Sequence, residues 1–247
     1  MRTSPSLSIV VPVLNEAPII RSFLRHVREV APEVEIIVVD GGSVDGTREM
    51  ATRLADRTIS TIRGRAAQMN AGAAVAGGNV LWFLHADLHL PVGAPQMIED
   101  ALHECKLIGG WFRLRFPCRS LIYRISDSVG NLGAEVFGFA LGDHGIFCRR
   151  AAFCRVRGYP VVPILEDAEL CRRLACEGRM KQLDAEITCS PRGYERYGPY
   201  RTTAVYFFIL VLYVFGTSIS FLNRIYCAFR RSVPMPPLPA HCADAAH

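Results

Sequence analysis

VEIIVVDGGSVDGT, residues 34–47, runs from buried apolar chain into a turn in fourteen positions. Ile36, Ile37, Val38 and Val39 do not alternate with polar residues. The stretch from Glu35 to Val39 therefore reads as a strand covered on both faces, as parallel strands are. Asp40 ends it, and Gly41, Gly42 and Gly46 give the following loop its backbone freedom. A carboxylate at the end of a buried strand lies where open α/β sheets bind ligands. Asp40 there can accept hydrogen bonds from a nucleoside, with Gly41 and Gly42 letting the nucleotide lie against backbone. It can equally cap its own turn. The loop is neither GxGxxG nor GxxxxGK[ST], which argues against a dinucleotide site or a P-loop.

Working outward, LSIVVPVL (7–14) reads as a second buried strand, and Asn15-Glu16 as a helix start. Ile19, Ile20, Phe23, Leu24 and Val27 then recur at helical spacing. Downstream the pattern predicts a helix over Thr47–Ala55, a strand over Thr58–Ile62 and a small-residue helix, AAQMNAGAAVA, after Arg65. Val80–Leu84 is the next buried strand, followed by His85-Ala86-Asp87. This alternation predicts an α/β fold with a mostly parallel sheet flanked by helices. Further strands are expected over Ile108–Phe116 and Gly145–Cys148, and helices over Ser120–Phe139 and Glu166–Glu177, the last stopped by Gly178.

Half of the 247 residues are apolar, enough for one large domain with an appendage. The net charge of +5 is concentrated from Arg192 to Arg231, where six arginines face one acid, Glu195. With no lysine-rich stripe and no reader motif, nucleic acid is not the expected partner. Nine cysteines without CxxC or zinc spacing read as buried reduced thiols of a cytosolic protein. No signal peptide is expected. From Thr203 to Leu222 no residue is charged, a length at the threshold for spanning a bilayer. Arginines on both flanks fit an interfacial helix, or a hairpin broken near Gly216, better than a span. The expected organisation is a catalytic domain over 1–200, an apolar arginine-flanked helix over 201–231 and a disordered tail over 232–247. The expected location is the cytoplasmic face of the plasma membrane.

Two further acidic signals resemble Asp40 in position. Asp87 ends LWFLHAD, where a carboxylate can hold a divalent cation against a diphosphate. His85 stands where such sites often carry a second acid, and is expected behind the metal rather than on it. Glu166-Asp167 open a helix, which the macrodipole alone explains. One of the two can also act as general base towards an acceptor hydroxyl. Arg65, ahead of a helix, is a candidate diphosphate contact. Asp143, His144, Arg192 and Arg196 are weaker candidates for acceptor or phosphate contacts.

SIVVPVLNE, VVDGGSVDGT, GRAAQMNAG, FLHAD and LEDAELCRRL, in this order over about residues 7–180, resemble family 2 glycosyltransferases of the GT-A fold. FLHAD, GDHGIF and ILEDAELCRRL are similar to a narrower subgroup labelled arsenosugar biosynthesis glycosyltransferase. The resemblance implies a nucleotide-sugar donor, a divalent cation (Mn or Mg) and inversion by single displacement. It implies nucleoside contacts from Pro12, Asn15, Glu16 and Asp40, metal binding by Asp87, and Asp167 as base with Glu166 beside it. The acceptor is expected to be a small molecule or lipid-like, with a membrane surface as partner. Two other classes fit parts of the pattern: a nucleotide-binding, membrane-associated protein without catalysis, and a nucleotidyltransferase. The second lacks its glycine-rich basic loop, since PVLNEAP follows the first strand.

Overall fold

The structure is a computed structural model, described here for residues 7–118 and 120–231. The expected tail at 232–247 lies outside the described residues. The chain divides into two units, one ending at Arg192 and one beginning at Gly193.

In the first unit the alternating pattern forms as expected. β1 (Leu7–Val13), α1 (Ala17–Val30), β2 (Glu35–Asp40), α2 (Thr47–Thr52), β3 (Arg57–Ser60), α3 (Arg65–Val75) and β4 (Val80–Phe83) follow in order. β1 pairs in parallel with both β2 and β4, and β2 with β3. Pro12 is tolerated in this central strand because the β4 register stops at Val10–Phe83. α1 buries Ile20, Phe23, Leu24 and Val27, the stripe read from the sequence. α3 is small for a packing reason. A Cβ at Gly72 would come within 2.4 Å of Val10 Cγ1 and 2.9 Å of Val39 Cγ2. Gly72 thus serves close approach of the helix to its own sheet.

The second half is less regular, and the sheet becomes mixed. β5 (Leu88–His89), α4 (Ala94–Leu102), β6 (Leu107–Arg115), α5 (Leu121–Phe137), β7 (Phe147–Arg149), α6 (Arg150–Arg155), α7 (Glu166–Ala175) and β8 (Arg179–Cys189) complete the unit. The strand order is β3-β2-β1-β4-β7-β6-β8-β5. β7 runs antiparallel to both β4 and β6, and β5 antiparallel to β8. β6 and β8 pair in parallel, so the second half is mixed, and the expectation of a mostly parallel sheet is corrected there to a mixed one. β8, β5 and α4 had no sequence reading. β8 alternates Leu183, Ile187 and Cys189 with exposed charge along its length, and its charged face hid it.

β6 outruns β7, which pairs only with Gly109 and Gly110. Side chains cover the rest of that edge. Asn131 of α5 accepts the Leu114 N–H at 2.7 Å and donates to the Leu114 carbonyl at 2.9 Å, as a strand would. Asp127, one turn earlier, accepts the Phe116 N–H at 3.1 Å. His144 Nδ1 lies 3.1 Å from the Phe112 carbonyl. His144 is thus buried in the strand edge, which corrects its reading as an acceptor or phosphate contact. Satisfying these backbone groups is what lets an edge be buried.

The second unit holds most of α8 (Arg192–Tyr197), then α9 (Pro199–Val214) and α10 (Ile219–Arg231). The uncharged run from Thr203 to Leu222 is not one helix. It breaks at Phe215–Ser218, where Gly216 has φ 80°. Among the described residues no helix is long and apolar enough to cross a membrane. The break near Gly216 is where the hairpin reading put it, and a single apolar helix over 201–231 is corrected to two. Tyr206 of α9 meets Tyr226 and Phe229 of α10 at ring distances of 6.3 and 6.4 Å. Among the described residues eight cysteines are free, and Cys105, Cys154 and Cys176 are exposed, so the thiols are not uniformly buried.

Burial lifts the Asp127 carboxyl to about 6, against the Phe116 N–H and Arg115, which favour its charge; Glu186 adds to the rise. The native state therefore holds a proton that the unfolded chain has already lost, between about pH 4 and pH 6. Stability from this group is present below that window and lost as pH rises through it. Asp127→Asn keeps an acceptor for Phe116 and should make stability fall less steeply over this window. Melting temperature against pH is the measurement, and the variant should melt above the wild type at pH 7–8.

Candidate active site

The loops after β1 and β2 fasten to each other. The Asn15 N–H donates to Ser43 Oγ (2.9 Å), the Glu16 N–H to Thr47 Oγ1 (2.8 Å) and the Ala17 N–H to Asp45 Oδ2 (3.1 Å). Asn15 Oδ1 accepts the Val44 N–H in return at 3.0 Å, with Asn15 held at φ 55°. SVDGT thus supplies, from a distance, the capping that α1 lacks locally. Asp40, 2% exposed, accepts the N–H groups of Gly42 (3.0 Å) and Ser43 (3.1 Å) and so closes its own turn. Gln68 sits beneath, its Nε2 donating to the carbonyls of Val13 (2.9 Å) and Val39 (2.8 Å). A Cβ on Gly41 would lie 3.0 Å from the Gln68 side chain, so Gly41 is the close-packed position of the pair. Gln68 was not among the sequence candidates, although a buried amide in an Ala/Gly helix is a signal for such a clamp.

Asp87 follows β4 and faces Arg192, which lies just past β8. Arg192 Nη2 is 3.5 Å from Asp87 Oδ2 and 3.5 Å from Glu16 Oε2. The guanidinium therefore bridges two carboxylates from separate loops. Burial raises the Asp87 carboxyl, Asp143 raises it further, and His85 and Arg192 pull it back. Burial likewise raises Glu16, against Arg192. Arg196, the other arginine of α8 read as a phosphate contact, belongs to the second unit and stacks on Tyr197 at 5.4 Å.

Behind Asp87, His85 Nδ1 lies 3.3 Å from Asp143 Oδ1. Burial opposes charge on His85, but Asp143 outweighs it and the imidazole titrates above its usual value. Asp143 is lowered in turn: burial would raise it, and His85 more than reverses that. His85 Nε2 is buried without a hydrogen-bond partner.

The two acids opening α7 have different surroundings. Glu166 Oε1 is 2.6 Å from Arg65 Nε, at the first turn of α3. Arg65 is thus an ion-pair partner of Glu166, whichever ligand it also meets. Asp167 Oδ2 accepts the Gly142 N–H at 3.0 Å, and its Oδ1 is buried with no partner. Burial first, then the Glu166 charge, lift Asp167 to about 6, against Arg65 and His85. Leu165, directly before, holds the left-handed conformation at φ 61°, which costs a branched residue about 1 kcal/mol or more. Asn70 of α3 grips the approach to α7 with both amide atoms, accepting the Tyr159 N–H and donating to its carbonyl, each at 2.9 Å. The Tyr159 hydroxyl is buried without a partner, and burial plus the Asp167 and Glu166 charges hold its pKa well above the usual.

Among the described residues no three His, Cys, Asp or Glu side chains are grouped to hold a metal. Mg-type cations use one or two carboxylates together with substrate phosphates rather than an all-protein cage. Asp87, an oxygen donor 26% exposed with Asp143 near enough to raise its pKa, fits that shared mode.

Strand order and strand-end carboxylates define a GT-A-like α/β fold. A mannosyltransferase from Pyrobaculum calidifontis, solved with GDP-Man and Mn2+, matches with a TM-score of 0.66 over 95% of this chain and 67% of its own, at 20% identity. The chain belongs to the family described as Glycosyl transferase family 2, whose model matches residues 8–155. It is 30% identical over 197 residues to succinoglycan biosynthesis protein ExoA of Rhizobium meliloti, covering 71% of this chain and 60% of that protein. It is 27% identical over 199 residues to undecaprenyl-phosphate 4-deoxy-4-formamido-L-arabinose transferase of Aeromonas hydrophila, covering 69% and 58%. The chain thus spans about three fifths of these two relatives.

Gly142 is the crowded point of the site. A Cβ there would lie 2.5 Å from His85 Nε2 and 2.9 Å from Asp167 Oδ2. Gly142→Ala must push both side chains away while touching no apolar core. Turnover should fall by about a hundredfold, the scale of a misplaced reacting group, with melting temperature near wild type. Steady-state kinetics beside a thermal melt make the comparison.

Proposed function

We propose that the chain transfers a sugar from a nucleoside-diphosphate sugar to an acceptor hydroxyl, with inversion and with Asp167 as general base. The observation that carries this is the environment of Asp167. One oxygen is anchored on Gly142, the other is unpartnered, and the group titrates at about 6. A buried carboxylate left without a partner costs stability, which a purely binding protein has no use for. A base with that pKa is ionised at neutral pH yet still basic enough to take a proton in the transition state. Glu166 is committed to Arg65, so Asp167 is the acid left to do the chemistry.

In the single displacement, the acceptor hydroxyl gives its proton to Asp167. Its oxygen forms the new bond to the anomeric carbon from the face opposite the leaving group. The bond from that carbon to the diphosphate breaks, and its electron pair leaves with the nucleoside diphosphate. One displacement inverts the anomeric centre. Pro12, Asn15, Glu16, Asp40 and Gly41 would line the nucleoside side. Arg65 and Arg192 are placed to offset diphosphate charge. A divalent cation, Mn or Mg, held by Asp87 and the phosphates would supply Lewis-acid stabilisation of the leaving diphosphate. The GDP-Man and Mn2+ bound to the structural neighbour support this donor and cation class. The relative acting on undecaprenyl phosphate supports a lipid-like acceptor, and with it a site of action at the cytoplasmic face of the membrane. The arsenosugar subgroup stays a narrower resemblance of FLHAD and GDHGIF.

Asp167→Asn should lower turnover by about a hundredfold or more while donor affinity stays near wild type. The wild-type kcat/KM should fall as pH drops below about 6, because the base must be ionised. Equal losses of donor affinity and turnover in the Asn variant would count against Asp167 as base. For the cation, chelation should abolish transfer, and Asp87→Ala should remain folded but lose activity. Full transfer in the presence of chelator would eliminate the metal from the reaction.

A further inference from the structure

α5 is an amphipathic helix turned inside out. Its protein-facing side holds Tyr123, Asp127, Asn131 and Ala134, two of them polar groups bonded to β6. Its outer side holds Leu121 (72% exposed), Ile125 (45%), Val129 (39%), Leu132 (62%) and Val136 (64%). At about 100° per residue these five fall within an arc of about 80°. A surface helix in water shows the opposite arrangement, apolar stripe inward and polar face outward. No charged residue interrupts the arc; Arg124 and Glu135 stand together to one side of it. Packing within the catalytic unit does not account for the stripe.

We propose that this face of α5 lies in the surface layer of an anionic lipid membrane, and that the acceptor is an amphiphile whose apolar tail shares that layer. Three observations favour lipid over a second copy of the chain. The arc is wholly aliphatic. It offers neither a polar position to set register nor charged pairs on both flanks, which helix–helix partners use. A second outward apolar surface occurs in the other unit, where Phe207, Phe208, Phe215 and Phe221 are 52%, 52%, 83% and 43% exposed. That unit also carries Arg196, Arg201, Arg224, Arg230 and Arg231 against Glu195 among its described residues, a charge that anionic headgroups complement. One medium wets two such faces, whereas a protein partner would have to match each separately.

The position of α5 in the chain gives this face a use. The helix ends at Phe137, Gly138 caps it with φ 69°, and five residues beyond its end come Gly142 and Asp143. Gly142 holds Asp167, and Asp143 holds His85. An acceptor anchored by its tail at α5 would bring its hydroxyl head towards that base without leaving the layer. This substrate class rests on the transferase reading; the lipid contact does not.

The test uses the full chain and two variants changed only at exposed positions. One carries Ile125→Gln, Leu132→Gln and Val136→Gln in α5. The other carries Phe207→Ser, Phe215→Ser and Phe221→Ser in the hairpin. Each is sedimented with phosphatidylcholine vesicles containing about 30% phosphatidylglycerol. The α5 variant should melt like wild type, hydrolyse nucleotide sugar at the wild-type rate and lose about tenfold or more in vesicle affinity, since three aliphatic side chains that would leave water are replaced by polar ones. Unchanged binding in the α5 variant would overturn the proposal, and if only the hairpin variant detached, the hairpin would be the anchor. A wild-type dimer that the α5 changes turn into a monomer, with vesicle binding intact, would assign the face to a second copy and overturn it as well. A wild type that never turns over donor would count against the transferase reading and leave the lipid result standing.

Discussion

The site depends on an imbalance of charge at the ends of the strands. Glu16, Asp87, Asp143, Glu166 and Asp167 converge there, against Arg65, Arg192 and His85, whose pKa Asp143 raises. Charges removed from water are tolerated when paired. Two of these acids have close partners of their own: Glu166 has Arg65 and Asp143 has His85. Glu16 and Asp87 divide one guanidinium between them at 3.5 Å each. Asp167 is left with a backbone N–H alone, and burial, then the neighbouring Glu166 charge, raise its pKa. The deficit of positive charge sits beside Asp87. A site that must receive a metal and a diphosphate together has to be net negative before the cation arrives and must keep arginines for the phosphates after it. The proposed chemistry and the electrostatics of the empty protein therefore ask for the same arrangement.

The acids at strand ends were legible because both signals are local. A run of four apolar residues followed by Asp and Gly gives strand, stop and carboxylate within ten positions. The same locality hides a second role of GGSVDGT. Its Ser43, Asp45 and Thr47 serve the N-terminus of α1, about 28 residues away in sequence. The partners of the acids were not legible either. Arg65 meets Glu166 across a hundred positions, and Arg192 reaches back to Glu16, so only the folded topology brings them together. β7 is expected as a strand over Gly145–Cys148, but its antiparallel entry between β4 and β6 is of the same kind, set by the topology alone. The uncharged run from Thr203 to Leu222 carries composition without period. The sequence therefore shows that the segment avoids charge, while the position of its break depends on one glycine.

Amide side chains do work here that backbone usually does. Asn70 and Asn131 each pair with one residue's N–H and C=O, and Gln68 holds two strand-end carbonyls. Each occurs where a regular partner runs out. β6 extends past β7, the approach to α7 is irregular chain, and β1 and β2 end at the ligand face. An irregular site needs its backbone groups satisfied as completely as a sheet does. Asn and Gln meet that need without adding charge, which matters next to a cluster already short of cations.

This constraint also bears on where the proposed base sits. Asp167 lies two residues after a leucine in a left-handed conformation and leans on a glycine that has no room for a methyl group. Neither choice favours stability. Replacing Gly142 would move the acid, and a roomier neighbourhood would admit water, lower its pKa and weaken it as a base. Asn70 fixing Tyr159 and Arg65 fixing Glu166 hold this strained turn from both sides, so the cost of the strain falls on elements outside the reacting centre. The loop that carries Gly142 arrives directly from α5, the helix with its polar face turned inward. Its position is set by the Asn131 and Asp127 bonds to β6. The same polar contacts that keep α5's aliphatic face outward therefore also set the register of Gly142, on which Asp167 rests.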